Sequence, residues 1–294
     1  MADRTTMDDR SPMFNRIISI DWSGAGRESD RVNLRIAAWD AQSGQCRVET
    51  PPETRSRSWR RSECRKWLAD RLAERPRTLI AIDCGLGLPW GSDRALFGVS
   101  GWRAMVEDLA RVYEQAGTAR AAAEHINADP RFAGHGPFRF NASRNDFRFY
   151  LRHDVAYHRL SDLLAPQAIS HWYLGSGGTV GFHTITGLAA VAHLLALRDA
   201  GRIDFTVWPQ EPLAPHRHII VESYPAIFPM PLDLGPCVGP DERDAWKVLL
   251  PLVEANRTGE LPDWFTLPAV TFGRVEGVSR EDQLRFEGLI FGLS

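Results

Sequence analysis

Two short apolar runs, each stopping on an aspartate before a glycine-bearing turn, constrain this chain more than any other feature. Arg16-Ile17-Ile18-Ser19-Ile20-Asp21 leads into Trp22-Ser23-Gly24-Ala25-Gly26. Thr78-Leu79-Ile80-Ala81-Ile82-Asp83 passes through Cys84 into Gly85-Leu86-Gly87-Leu88-Pro89. The first is rich in β-branched residues, and the second is apolar until its final acid, the pattern of a strand buried on both faces in a parallel sheet. Such a sheet must be covered by helices, so the chain is expected to be α/β.

The remaining pattern agrees. Residues 32–39 alternate polar and apolar positions, and 46–50 form a shorter run after the turn at Gln42-Ser43-Gly44-Gln45, so the first three strands read as an antiparallel meander. Further strands are expected at 204–208 and 218–222. Helical spacing is expected at 58–74, 102–115, 119–126, 154–164, 188–200, 241–255 and 280–293, with an irregular loop over 129–150. Residues 1–15 read as a polar, disordered lead-in without a signal peptide.

At 294 residues the chain is long enough for one large α/β domain, and no repeat divides it. Thirty-five basic against thirty-seven acidic residues give a net charge of −2, which excludes a globally basic nucleic-acid coat and an acidic disordered chain. Arginine carries almost all the basicity, Lys66 and Lys247 being the only lysines. Cys46, Cys64, Cys84 and Cys237 lie far apart with no CxxC pair, so neither a zinc site nor a disulfide framework is expected. No apolar run is read as approaching the roughly 18 residues of a membrane span. A cytoplasmic protein without membrane association is the expectation.

The chemistry is suggested by where the acids fall. Asp21, Asp83 and Glu222 each close an apolar run ahead of a turn. In open α/β sheets, ligands gather beyond the carboxyl ends of the strands. Carboxylates that converge there raise one another's pKa unless a cation lies between them, and hard oxygen donors suit Mg²⁺ or Mn²⁺ better than Zn²⁺. Each acid alone also reads as an ordinary turn or cap residue.

The motifs IISIDWSGAG (17–26), LIAIDCGLGLPWG (79–91), WYLGSGGTVGFHTITGL (172–188), FTVWPQE (205–211) and IIVESYPAIFP (219–229) resemble domain-of-unknown-function family 429, regarded as predicted nucleases of ribonuclease H-like fold. The resemblance runs from about residue 16 to the C-terminus. It implies a mixed five-stranded sheet flanked by helices, with a mostly helical insertion at about 90–203. It further implies a metal-dependent nuclease in which Asp21, Asp83 and Glu222 hold Mg²⁺ or Mn²⁺ and water cleaves a phosphodiester in line, leaving a 3′-hydroxyl. The family's last acids open its final helix, which selects Asp282 as the fourth ligand over its neighbour Glu281, with Asp244 as a substitute. Members often carry a second Asp three residues on, where this chain has Arg285.

Substrate contacts are expected from residues 131–159. Six arginines, among them Arg144, Arg148 and Arg152, are interleaved there with Phe138, Phe140, Phe147, Phe149 and Tyr150. Arginine forks fit phosphates and aromatic rings stack on unpaired bases, although the same rings can equally pack the insertion onto the sheet. The turn at Ser23 and Gly24 offers backbone N–H groups to a phosphate, but no lysine follows as in a Walker A loop. Two other functions remain open on sequence: an actin-like or sugar-kinase-like ATP-dependent phosphotransferase, and a catalytically inactive ribonuclease H-like binding protein.

Overall fold

The computed structural model describes residues 12–52, 54, 56–141, 147–165, 167–175, 180–230, 239–270 and 275–293. Its strands are β1 (Arg16–Asp21), β2 (Arg31–Val32), β3 (Arg35–Asp40), β4 (Gln45–Glu49), β5 (Trp59–Arg60), β6 (Thr78–Ile82), β7 (Phe205–Trp208) and β8 (His218–Glu222). Six of them make one mixed sheet in the order β4-β3-β1-β6-β8-β7, while β2 and β5 pair separately. The β1–β3 and β3–β4 pairings are antiparallel, and β1, β6, β8 and β7 run parallel. The meander and the buried parallel strands are as the apolar patterns predict. The five-stranded expectation is corrected to six, because β7 adds an edge strand outside β8. Every residue of β6, β7 and β8 is buried, whereas edge strand β4 keeps part of its length in solvent.

The helices are α1 (Arg61–Ala73), α2 (Trp102–Ala116), α3 (Ala119–Asn127), α4 (Arg148–His153), α5 (Leu160–Leu164), α6 (Val180–Asp199), α7 (Pro240–Thr258) and α8 (Arg280–Glu287). Strand pleating sends alternate side chains to opposite faces, and two apolar cores result. Ile18, Ile20, Ile80, Ile82 and Ile220 pack with α1, α2, α3 and α6. Ile17, Leu79, Ala81, Ile219 and Val221 pack with α7, through Ala245, Val248, Leu249 and Leu252. The segment between β6 and β7 carries α2 to α6.

Three expectations shift for physical reasons. Helix α6 begins at Val180 rather than 188, its early turns being disguised by Gly181, Thr184, Thr186 and Gly187. Gly187 is required there, since a Cβ would lie 2.3 Å from Cys84 Sγ. This helix is also long and apolar enough to cross a membrane, with mean hydropathy 1.6, contrary to the sequence reading, but most of it is buried among α1, α2 and the sheet. The helix expected at 154–164 is confined to α5, and a separate short helix, α4, stands at 148–153, partly in the expected loop; Asp154 takes a left-handed conformation (φ 51°) that ends α4. The lead-in stops short of residue 15: Phe14 is fully buried and exchanges two backbone hydrogen bonds with the Asn256 amide.

Candidate functional site

The parallel strands deliver two rows of side chains at their carboxyl ends. Ile20, Ile82 and Glu222 are register partners across β1, β6 and β8. Asp83 N–H donates to Ile20 O and Ser223 N–H to Ile82 O, which continues the pairing one residue further. By the pleat, Asp21, Asp83 and Ser223 form the next row and face the α7 side, opposite to Glu222. The first turns of α7 bring Asp241 and Asp244 to the same place. Three-residue spacing puts these two on one helix face, continuing the stripe of Ala245, Val248 and Leu252 beyond the strand ends.

These four aspartates share an unusual property. Among the described residues, none of their carboxylates accepts a hydrogen bond or makes an ion pair. All four are only partly buried, so solvent reaches them. Burial and then the neighbouring charges of Asp83, Asp241 and Asp244 push Asp21 up to about 9, with Arg35 opposing. Burial, Asp244 and Glu222 hold Asp83 well above the carboxylate range. Asp244 is raised by burial and, against the pull of Lys247, by Asp241. Two buried hydroxyls of the same sheet face, Ser19 Oγ and Ser223 Oγ, also lack a hydrogen-bond partner among the described residues. Unpaired carboxylates beside unpaired hydroxyls are costly to a fold, and a positive ion is the group that satisfies both.

Glu222 has the opposite surroundings. Both its oxygens grip the Arg159 guanidinium at 2.5 and 2.7 Å, and Oε2 also accepts the Leu86 N–H. Arg159 is fully buried and spends its remaining N–H groups on Asp162 and on Glu287 O. Its five donors are thereby all used. Asp162 is held below the usual range despite burial, through Arg159 and then His171, which in turn meets Thr184 at 2.7 Å. Glu287 is raised to about 7 by burial while accepting the N–H groups of Trp90 and Leu160. A small cavity lined by Asp83, Ser223, Tyr224, Arg159, Glu222 and His171 joins the two sides.

The sequence-predicted residues therefore divide. Asp21 and Asp83 are brought together, and Glu222 stands next to Asp83 but is already neutralised. Asp282 is exposed at the start of α8, hydrogen-bonded to Ser279 as a helix cap, and does not figure among the charges acting on Asp21 or Asp83. The acidic pair at three-residue spacing stands on α7 instead, with Asp244 in the place given to Asp282. Sequence reasoning missed Asp241, Asp162, Arg159 and Glu287. Only Asp241 had a signal, the Asp241-x-x-Asp244 spacing ahead of an apolar helical stripe.

The loop at Ser23 and Gly24 is pinned from inside. Arg61 donates to the carbonyls of Ser23, Ala25 and Gly26. A Cβ on Gly24 would lie 2.3 Å from the Phe182 backbone, so glycine permits the loop to touch the start of α6. His183 beside it is driven down to about 4 by burial and by Arg61. In the basic segment, Phe138, Phe149 and Tyr150 are buried against Trp172 and Phe132, so these rings pack the insertion. Arg148 and Arg152 are exposed on α4 beside Leu151, which is 84% exposed. Arg144 lies outside the described residues.

Among the described residues, no three Asp, Glu, His or Cys side chains converge closely enough to ligate one ion as they stand. The donor set nevertheless fits Mg²⁺ or Mn²⁺ in kind. It is all oxygen, and Mg²⁺ keeps several waters while taking one or two carboxylates directly. Glu222 differs in that both its oxygens are already engaged by the Arg159 guanidinium. Comparison with protein-family models, with curated proteins and with solved structures finds no match to this chain.

Proposed function

We propose that the chain is a metal-dependent phosphodiesterase acting on nucleic acid, with Asp21, Asp83 and Asp244 as the carboxylates that hold Mg²⁺ or Mn²⁺ and Asp241 beside them. The observation that carries this reading is that, among the described residues, no partner is found for four neighbouring carboxylates, two at the carboxyl ends of the adjacent parallel strands β1 and β6 and two on the first turns of α7. An acid kept for stability finds an N–H group or a cation, as Glu222, Asp162 and Glu287 do. The β4-β3-β1-β6-β8 part of the sheet order and the motifs of family 429 support a ribonuclease H-like reading of the same fold.

A divalent cation held by Asp21, Asp83 and Asp244, directly or through its own waters, would supply positive charge for a phosphoryl transition state and lower the pKa of a water. The chain's own residues do the rest. Asp21 and Asp83, fixed on neighbouring strands, set the position of the charge. Asp244 closes the site from the helix side, and the buried hydroxyls of Ser19 and Ser223 orient hydrogen bonds on the sheet face. Arg159 engages both oxygens of Glu222 and ties the turn at Glu287 to the strand end, while Glu222 itself ties the loop at Leu86. Metal-dependent cleavage of labelled DNA and RNA tests the reading: activity that needs Mn²⁺ and disappears in Asp83→Asn supports it, and cleavage that survives chelation refutes it.

A further inference from the structure

We infer that Arg35, Arg57 and Lys247 grip phosphates on both sides of the scissile one, so that the site takes an internal phosphodiester of a polynucleotide rather than a mononucleotide or a terminal phosphate. This rests on the metal-site reading above.

Arg35 is the register partner of Asp21 across β1 and β3. Its Nη1 donates to Leu34 O, Arg57 O and Ser58 Oγ, while its Nε and Nη2 have no partner among the described residues. The last but one of these contacts holds the Arg57 backbone beside Arg35. The Arg57 side chain is 57% exposed, with one ion pair to Glu242 in the first turn of α7, next to Asp241. Lys247 lies three residues beyond Asp244 on the same helix, about 4.5 Å further along its axis.

Positive groups thus border the acids from three places: Arg35 opposite Asp21, Arg57 at the first turn of α7 through Glu242, and Lys247 three residues beyond Asp244. Cations placed to neutralise the acids would have paired with them. Among the described residues none does: Arg57 pairs with Glu242 instead, and neither Arg35 nor Lys247 makes an ion pair with Asp21, Asp83, Asp241 or Asp244. Positive groups that flank a metal site without entering it match a ligand whose negative charges continue past the reacting one. A polynucleotide backbone has that form, and arginine forks fit its phosphates in two-point contacts. A mononucleotide reaches one of these places at most.

The test compares the full-length wild type with Arg57→Ala/Lys247→Ala and with the charge-conserving Arg57→Lys/Lys247→Arg. Three quantities are read: Mn²⁺ affinity, the salt dependence of binding a short fluorescein-labelled single-stranded oligonucleotide, and the ratio of kcat/KM for that oligonucleotide over bis(p-nitrophenyl) phosphate. The alanine pair should lower the ratio at least tenfold and flatten the salt slope by about 1.4, two phosphates at 0.7 each. Its Mn²⁺ affinity should not fall, since positive charge has been removed near the acids. The charge-conserving pair should restore most of the slope. An alanine pair with unchanged ratio and slope, in a wild type that binds Mn²⁺ and cleaves the oligonucleotide, overturns the phosphate grip and leaves the metal site standing. Weaker Mn²⁺ binding in the alanine pair assigns these residues to support of the acids and also overturns it. A wild type that binds no Mn²⁺ overturns the metal site and this inference with it.

Discussion

Two groups of carboxylates meet at the carboxyl end of one sheet, and they are built on opposite principles. On the side of Glu222, three acids are buried and saturated: Arg159 bridges Glu222 and Asp162, and backbone N–H groups hold Glu287. On the α7 side, Asp21, Asp83, Asp241 and Asp244 crowd together with no partner among the described residues, and burial and then neighbouring acids raise the pKa of Asp21, Asp83 and Asp244. The first group stabilises the folded chain as it is. The second stabilises it only when something positive arrives. Acid residues at strand ends are therefore not one class, and the hydrogen-bond partners divide them where the sequence pattern does not.

The contrast breaks most visibly at Arg159. Replacing it with Met leaves Glu222 and Asp162 buried without a counter-charge, and about 3–5 kcal/mol of stability should be lost in chemical denaturation. A loss under 1 kcal/mol would mean that this side is not held together by its ion pairs. Glu287→Ala strands the buried N–H groups of Trp90 and Leu160 and should cost about 2–4 kcal/mol. Both changes should leave Mn²⁺ binding by the folded protein measurable, because neither removes a proposed ligand.

On the α7 side the sign reverses. Burial and then its acidic neighbours push Asp21 up to about 9 in the folded chain, from 3.8 for a free aspartate. Between these values the folded state binds more protons than the unfolded one, so the contribution of Asp21 to stability is greatest in acid and falls as pH rises towards 9. Asp21→Asn removes that decline. The metal-free variant should be about 1 kcal/mol or more stable than wild type at pH 8 and should converge with it near pH 4, as read by denaturation across pH. Mn²⁺ affinity of the wild type should rise over the same interval, because protons must leave the carboxylates. A less stable Asp21→Asn at pH 8 would place Asp21 with the structural acids.

The smallest effect belongs to the exposed face of α4. Arg148→Ala with Arg152→Ala should change stability by no more than about 0.5 kcal/mol, as surface substitutions do. If both residues touch substrate phosphates, oligonucleotide binding should lose about 1.4 units of salt slope. An unchanged slope would restrict substrate contact to the metal site and its flanking cations.

Much of this was legible in the sequence, for local reasons. Apolar runs ending in Asp21 and Asp83 give strands whose ends lie together, since a buried parallel pair is specified by the residues within each run. Glu222 misled because its partner Arg159 is 63 residues away and looked like one more surface arginine in a basic segment. Nothing near Arg159 in the chain announces complete burial. Asp282 misled in the other direction: Ser279-x-x-Asp282 is a capping pattern, and capping is what it does. Asp241 and Asp244 carried a real signal in their spacing and in the apolar stripe that follows. That stripe fixes which face of α7 meets the sheet, and hence where both acids point.

Calorimetric titration of Mn²⁺ into wild type, Asp244→Asn and Asp282→Asn at pH 8 tests the central claim most directly. Wild type and Asp282→Asn should bind with affinities within about threefold of each other, while Asp244→Asn should bind at least tenfold more weakly. Loss of binding in Asp282→Asn with retention in Asp244→Asn, or no Mn²⁺ binding by the wild type, would contradict the account.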